Sequence, residues 1–260
     1  MSKNAILVLV NTVSLLAVLA INYLSNTGVL GTDSVGDVSR RYDTLFAPAG
    51  YAFSIWGIIY LLLIAFTIYQ WYILLKSTKS DIIRNTGLWF SLANIANALW
   101  VLAWVNEYIG LSVILMALLL FSLIMLVYRL DLEMWDAPRS VIVLVWWPFT
   151  IYFGWIVLAT VANISAFLVS FGWDGSPLSA ELWTIVLIAV ACFIYLLLIY
   201  FRNMREAAMV GVWGLVAITV RQWDSTNSIA ISAVLAALIL FLSTAWHSYK
   251  NRKSSPFMMN

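Results

Sequence analysis

The sequence predicts an all-α protein, a polytopic bundle of membrane-spanning helices. Three observations carry this. Charged residues are only 10% of the 260-residue chain while 63% is hydrophobic, against about a quarter charged in soluble domains. The apolar residues fall in runs of about 20, enough to cross roughly 30 Å of hydrocarbon. The basic residues collect on alternate connections between those runs, as the positive-inside rule requires. Mean hydropathy is +0.95. The net charge of +2 includes no basic cluster dense enough for nucleic acid. The single cysteine, Cys192, forbids an intrachain disulfide, and the single histidine, His247, leaves no pair for a metal site.

Ala5–Leu24 is the first span. A cleaved signal peptide has a shorter apolar region and is followed by a soluble domain, and this run fits neither. Residues 25–50 read as a long polar loop with Asp33, Asp37, Arg40, Arg41 and Asp43. Tyr51–Leu75 is the second span, closed by Lys76 and Lys79, and Leu88–Val105 the third, ended by the short Asn106-Glu107 turn. Ile109–Leu130 is the fourth, followed by the charged loop 131–140. Val141–Phe171 carries no charge and exceeds one span, so the fifth helix is expected to start or kink near Pro148. Residues 172–177 read as a loop and Leu182–Phe201 as the sixth span. Ala207–Gln222 is short, and fits either a thin span or a buried re-entrant piece. Ser228–Trp246 is the last helix, with Lys250, Arg252 and Lys253 behind it.

Charge asymmetry sets the count. With eight spans and both termini cytoplasmic, the inner segments hold Lys3, Lys76, Lys79, Arg84, Arg129, Arg139, Arg202, Arg205, Lys250, Arg252 and Lys253. The outer segments hold Arg40, Arg41 and Arg221. This distribution predicts a multi-pass protein of the plasma or inner membrane, with a basic cytoplasmic tail at 250–260. No Lys, Arg, Asp or Glu lies near the middle of a span. Charge-coupled pumping, which uses intramembrane ionisable groups, is therefore disfavoured. So is a retinal Schiff base, for want of a helical lysine.

The spans carry amide and aromatic side chains in helical register instead. Phe53, Trp56 and Tyr60 follow the loop FAPAG and share one face of the second helix, which continues through Thr67 and Trp71. Ser91, Asn94, Asn97, Trp100 and Trp104 form one stripe of the third helix. Pro148, Tyr152, Trp155, Ala159 and Asn163 form one stripe of the fifth. The structural reading of a membrane Asn is a helix–helix hydrogen bond, and that of Trp71, Trp89, Trp146, Trp183 and Trp246 is the interfacial belt. Trp56, Trp100 and Trp155 lie within spans on polar faces. Flat aromatic walls with a few amide groups suit a flat, largely apolar ligand.

Residues Ala47–Tyr60, Asn97-Ala-Leu-Trp100 and Tyr152–Asn163 together resemble three motifs of the TspO/translocator family of tryptophan-rich sensory proteins. These are a proline pair leading into Phe, Val-Trp and Leu-Tyr on helix 2, Asn-x-x-Trp on helix 3, and Tyr-x-x-Trp-x-x-Phe-Ala-x-x-Leu-Asn on helix 5. The motifs cover about residues 1–170 in the family's order. Ala47 replaces one proline, the Phe is displaced by one position, Leu158 replaces the helix-5 Phe, and Ile151 replaces the proline before the Tyr. Residues Ile164–Val169 lack the Tyr and basic residue of the sterol motif. Leu198–Arg202 fits that weak pattern on helix 6, so sterol binding has little support. The Trp213-Gly214 dipeptide echoes Trp56-Gly57 without establishing a repeat.

The resemblance implies a TspO-like five-helix core over residues 1–171 and a three-helix extension over 172–249. It implies a porphyrin-like or other hydrophobic aromatic ligand and a sensory, regulatory or transport role. The residues it marks are Phe53, Trp56, Tyr60, Asn94, Asn97, Trp100, Tyr152, Trp155, Ala159 and Asn163, with loop 25–50 capping the entrance. No cofactor is required, a bound tetrapyrrole is compatible, and the expected partners are a hydrophobic small molecule, the bilayer and a second copy in a homodimer. A passive or exchange transporter of a small apolar metabolite, and a structural or partner-binding bundle, are the alternatives. The spans contain no acid–base pair, metal cluster or nucleophile dyad, so catalysis is disfavoured.

Overall fold

The structure is a computed structural model that describes residues 2–30, 33–76 and 80–251. Among the described residues there is no strand. In chain order the helices are α1 Lys3–Ser25, α2 Val35–Arg41, α3 Ile55–Leu75, α4 Ile82–Thr86, α5 Trp89–Val105, α6 Ile109–Arg129, α7 Arg139–Val141, α8 Trp147–Ser170, α9 Ala180–Arg202, α10 Arg205–Gln222 and α11 Asn227–Lys250. Among the described residues six units are long and apolar enough to cross a membrane: α1, Gly50–Leu75, α6, Arg139–Ser170, α9 and α11. The remaining long helices are α5, at 17 residues, and α10, at 18 with Arg205, Glu206 and Arg221 near its ends. Lys79, Arg252, Lys253 and the rest of the expected basic tail lie outside the described residues.

The helices form where apolar length, capping and internal polar satisfaction coincide. Ser2 and Ser179 cap α1 and α9 by accepting from the amides of Ala5 and Leu182. Within spans, hydroxyls donate back to carbonyls one turn earlier: Thr67 to Leu63, Ser122 to Leu118 and Thr160 to Ile156. In hydrocarbon that is the cheapest way to satisfy a hydroxyl.

The fifth span changes character at Pro148 as expected: α8 starts at Trp147, while the helical unit as a whole extends upstream to Arg139. A π-helical turn, Ile142–Trp146, precedes the proline, which enters α8 in its first turn. Proline lacks an N–H and its ring crowds the carbonyl four residues back. A locally widened turn relieves both. The Thr150 hydroxyl donates to the Trp146 carbonyl at 2.9 Å. The resulting span is the centre of the bundle. Its most apolar stretch is 78% buried, against 28–39% for the other five.

Ala207–Gln222 is not a re-entrant piece. Beside the start of α10, Asn203 donates to the Glu133 carbonyl in the α6–α7 loop. At its far end Arg221 pairs with Asp43 and Gln222 donates to the Leu45 carbonyl, both in the loop before α3. The helix therefore runs the full height of the bundle. It can lie this deep because of glycine. A Cβ built on Gly154 of α8 would sit 2.8 Å from the Ala207 backbone, and one on Gly211 would sit 2.6 Å from the Tyr195 ring. The Tyr195 hydroxyl donates to the Gly154 carbonyl at 2.7 Å, joining α9 to the same contact. Small residues at such crossings let backbones approach where no water drives association.

Gly154→Ala is expected to lower the thermal unfolding midpoint of the purified protein, by the equivalent of about 1–3 kcal/mol for an overpacked contact. Gly57, with open space around its Cα, should accept Ala with no loss. Equal midpoints for the two variants would rule out the close α8–α10 contact.

Candidate functional site

The stripes predicted on three helices converge. The Asn97 amide, fully buried on α5, donates to the Tyr152 hydroxyl of α8 at 2.9 Å and lies 3.4 Å from the Tyr60 hydroxyl of α3. One turn along, the Trp100 indole donates to the Asn163 carbonyl oxygen at 2.7 Å, and Asn163 donates to Ser112 of α6 at 2.8 Å. Asn94 turns away, donating to Ser14 of α1 at 3.1 Å. Below these, Asn11 of α1 donates to Gln70 of α3 and accepts from Ser91 of α5. The amide donors of Asn11, Asn94, Asn97 and Asn163 are thus engaged in joining helices, while the Gln70 amide nitrogen is buried without a partner. The Oδ1 atoms of Asn94 and Asn97 and the Trp155 indole nitrogen are buried without a partner.

Beside the network lie two small cavities. One, about 40 Å³, is lined by Phe53, Trp56, Trp100, Trp155, Ala159 and Asn163. The other, about 320 Å³, is lined by Leu19, Asn22, Tyr60 and again by Phe53, Trp56 and Trp100. Val35 contributes to both. Seven of the ten predicted residues therefore meet these cavities. Asn97 and Tyr152 stand behind them, Tyr152 edge-on to Trp56 at 5.7 Å between ring centroids, and Asn94 belongs to the α1 contact. Trp155 meets Phe53 edge-on at 6.0 Å, and Trp56 stacks on Tyr60 at 5.3 Å.

The cap over the cavities corrects the sequence reading of residues 25–50. That stretch contains a helix, α2, with a capping box: Ser34 accepts from the Asp37 amide and Asp37 accepts from the Ser34 amide. The S-x-x-D signature at 34–37 is the signal that could have revealed it. Val38 of α2 is fully buried and the Trp104 indole donates to the Val35 carbonyl at 3.1 Å. Ser39 and Tyr42 extend the cavity wall. Two latches hold the cap. Arg41 pairs with Asp33 and with Glu107 of the α5–α6 turn, and Tyr42 donates to the other Glu107 oxygen at 2.9 Å. On the α10 side, besides the Arg221 and Gln222 contacts, Ala49 donates to the Ala217 carbonyl. The Ser34 hydroxyl, bonded to Asp37, holds that carboxyl below its ordinary pKa, so the box is intact at neutral pH.

The tryptophans also depart from expectation. Trp146 is not a belt residue. It is 4% exposed because the π turn rotates it inward, against Trp135 edge-on at 5.7 Å. Trp71 and Trp183 have their indoles engaged with Thr12 and the Gly175 carbonyl, while Trp246 is exposed as expected. Trp213 donates to the Ala52 carbonyl at 3.1 Å and meets Tyr51 edge-on. A larger cleft of about 910 Å³ runs along the N-terminal half of the α7–α8 unit, and no stripe in the sequence pointed to it.

An all-α bundle of long apolar helices, with its polar groups satisfied between helices, defines an integral multi-pass membrane protein. The family model described as TSPO-like protein matches residues 7–246, and the chain belongs to that family. The match runs through the last three helices as well as the five that carry the motifs. Comparison with curated proteins and with solved structures gives no match.

Glu107→Ala removes both contacts of the α5–α6 latch. Amide hydrogen exchange in α2 should then quicken by a few-fold, the modest scale expected for a solvent-exposed network, with α8 unchanged. The protection factors of the α2 amides, which are exchange rates normalised to the intrinsic rate at each pH, should also drop as pH falls from the ordinary carboxyl range through the depressed Asp37 pKa, because protonation removes the acceptor of the capping box. Exchange indifferent to both changes would argue that α2 is held by apolar packing alone.

Proposed function

We propose that the protein binds a flat, hydrophobic aromatic ligand of porphyrin-like character beneath α2, within the core formed by residues 1–171. The observation that carries this is the pair of cavities sharing Val35, Phe53, Trp56 and Trp100. They are walled mainly by aromatic and small side chains, with Asn22, Asn26 and Asn163 as polar groups and the unpartnered Trp155 indole among them. Pockets for drug-sized molecules span roughly 300–1,000 Å³, so the 40 Å³ space alone is too small and the two must merge. Turning Phe53 and Trp56 aside and lifting α2 would join them. Trp100 and Trp155 would then stack on the ligand faces, Ala159 would leave room for its width, and the Trp155 N–H would meet a polar edge.

Such binding couples naturally to a sensory, regulatory or transport role. A cap that must move to admit the ligand changes the surface at one end of the bundle, and the latches to Glu107 and Arg221 decide how far. A tetrapyrrole bound here would be a ligand in this reading, not a catalytic group. The spans offer indole, phenol and amide chemistry, suited to holding a flat molecule rather than transforming it.

Titration of the purified protein with protoporphyrin IX, followed by quenching of tryptophan fluorescence, tests the reading. Ala159→Phe, which fills the smaller cavity, and Trp155→Ala, which removes a stacking wall, should each weaken binding about tenfold or more, the scale of a lost aromatic anchor. Trp246→Ala, at an exposed position, should leave it unchanged. Equal effects of all three would reject this pocket.

A further inference from the structure

The 910 Å³ cleft opens between α3, the α7–α8 junction, α10 and α11. Its two ends differ in chemistry. One is apolar, with Ile58, Ile151, Met209 and Trp213 along it. The other is formed where the α6–α7 loop, the start of α10 and the end of α11 meet. It carries the carboxylates of Glu133, Asp136 and Glu206, the Arg205 guanidinium and the His247 ring.

Several polar atoms on this wall have no partner within the protein. They are Glu133 Oε1, Glu206 Oε2, Arg205 Nε, Trp146 Nε1 and Thr244 Oγ1. Glu133 and Trp146 are only 9% and 4% exposed, so bulk water does not satisfy them freely. Buried polar groups in native proteins are nearly always paired, and a cluster of exceptions on one cavity marks a place prepared for something else. Glu133 is also held deliberately. It has the left-handed φ of +62°, rare for a residue with a side chain, and its carbonyl accepts from Asn203, itself at φ +56°.

The sign of the expected ligand follows from the charges. Asp136 and Glu206, joined by Glu133 above about pH 8, outweigh the one guanidinium and repel an anion. Among the described residues no group of three His, Cys, Asp or Glu side chains could hold a metal ion, and the Trp146, Trp213 and Met209 walls suit an organic cation instead. Indole faces beside a carboxylate pair are suited to such a charge. We propose that this cleft is a second binding site, for a lipophilic organic cation whose charge lies between Glu133 and Glu206 and whose apolar body lies against Trp146, Met209 and Trp213. None of these residues lines the pocket beneath α2, and the site stands apart from that reading.

Burial, and then the charge of Glu206, push the Glu133 carboxyl up to about 8, with Arg205 opposing. Below that pH Glu133 is neutral and above it charged, so the site gains affinity for a cation as pH rises. Glu206 and Arg205 face it from α10, His247 from α11 and Asp136 from its own loop, while α3 contributes no charge to the cleft.

The test uses the full chain in zwitterionic nanodiscs, with empty nanodiscs subtracted. The probes are tetraphenylphosphonium and tetraphenylborate, ions of nearly equal size and opposite charge. Tetraphenylphosphonium should bind saturably and tetraphenylborate should not. The combined Glu133→Gln and Glu206→Gln change should weaken tetraphenylphosphonium binding at least about tenfold, with the thermal unfolding midpoint reporting whether the fold is kept. Met209→Lys, a half-exposed position that places a competing cation in the cleft, should abolish it even if the double variant does not fold. Affinity should rise roughly tenfold from about pH 6.5 to 8.5, a dependence lost in Glu133→Gln and kept in His247→Gln. Absence of saturable tetraphenylphosphonium binding, equal binding of the two ions, or binding unmoved by Met209→Lys would each overturn the proposal.

Discussion

The bond from Asn97 to Tyr152 shows the constraint under which the whole molecule is built. In hydrocarbon no water completes a buried amide, so the amide donors of Asn11, Asn94, Asn97 and Asn163 reach partners on other helices. Asn97 ties α5 to α8, with the Tyr60 hydroxyl of α3 alongside. Asn163 ties α8 to α5 and α6 through Trp100 and Ser112, and Asn11 ties α1 to α3 and α5. Each bond sets the axial register of two helices at once. The rings of Trp56, Trp100 and Trp155 then have no choice about where they point, and the cavities beneath α2 are the space left between them.

The same pressure explains the last three helices. They enter the structure through Gly154, where α10 approaches α8 at backbone distance and Tyr195 supplies the hydrogen bond. From there α10 reaches the opposite end of the bundle and grips the segment leading into α3, through Trp213 to Ala52, Ala217 to Ala49, Gln222 to Leu45 and Arg221 to Asp43. That segment carries Phe53 into the cavity wall. The C-terminal helices therefore act on the aromatic site from outside it, by holding the strap that leads into it. A cap latched on one side to Glu107 and on the other to α10 has two independent restraints, and its motion is limited by whichever is stronger.

The two ends of the α7–α8 unit contrast in electrostatics. Near the cap the charged groups are paired: Arg41 with Asp33 and Glu107, Arg221 with Asp43. Near Pro148 the π turn brings Trp146 against a cleft where its indole nitrogen, one Glu133 oxygen and one Glu206 oxygen have no hydrogen-bond partner in the protein. A helix that must widen to accommodate a proline is also free to place a large side chain off its regular register. Here that displacement turns an expected interfacial tryptophan into a cavity wall.

Much of this was legible in the amino-acid order. Apolar length and basic asymmetry imply a polytopic bundle, and the aromatic–amide stripes of α3, α5 and α8 follow from a period of 3.6 residues, because these are local properties of the chain. Three things belonged to the tertiary structure. Helix α2 has seven residues, too few to be stable alone, and it exists because Val38 is buried and the Glu107 and Arg221 contacts hold its segment. The role of each Asn depended on which helix came within 3 Å, and periodicity names a face but not the neighbour it meets. The wide cleft depended on charges from three distant stretches, Glu133, Arg205–Glu206 and His247, whose common location is created only when α6, α10 and α11 end at the same height.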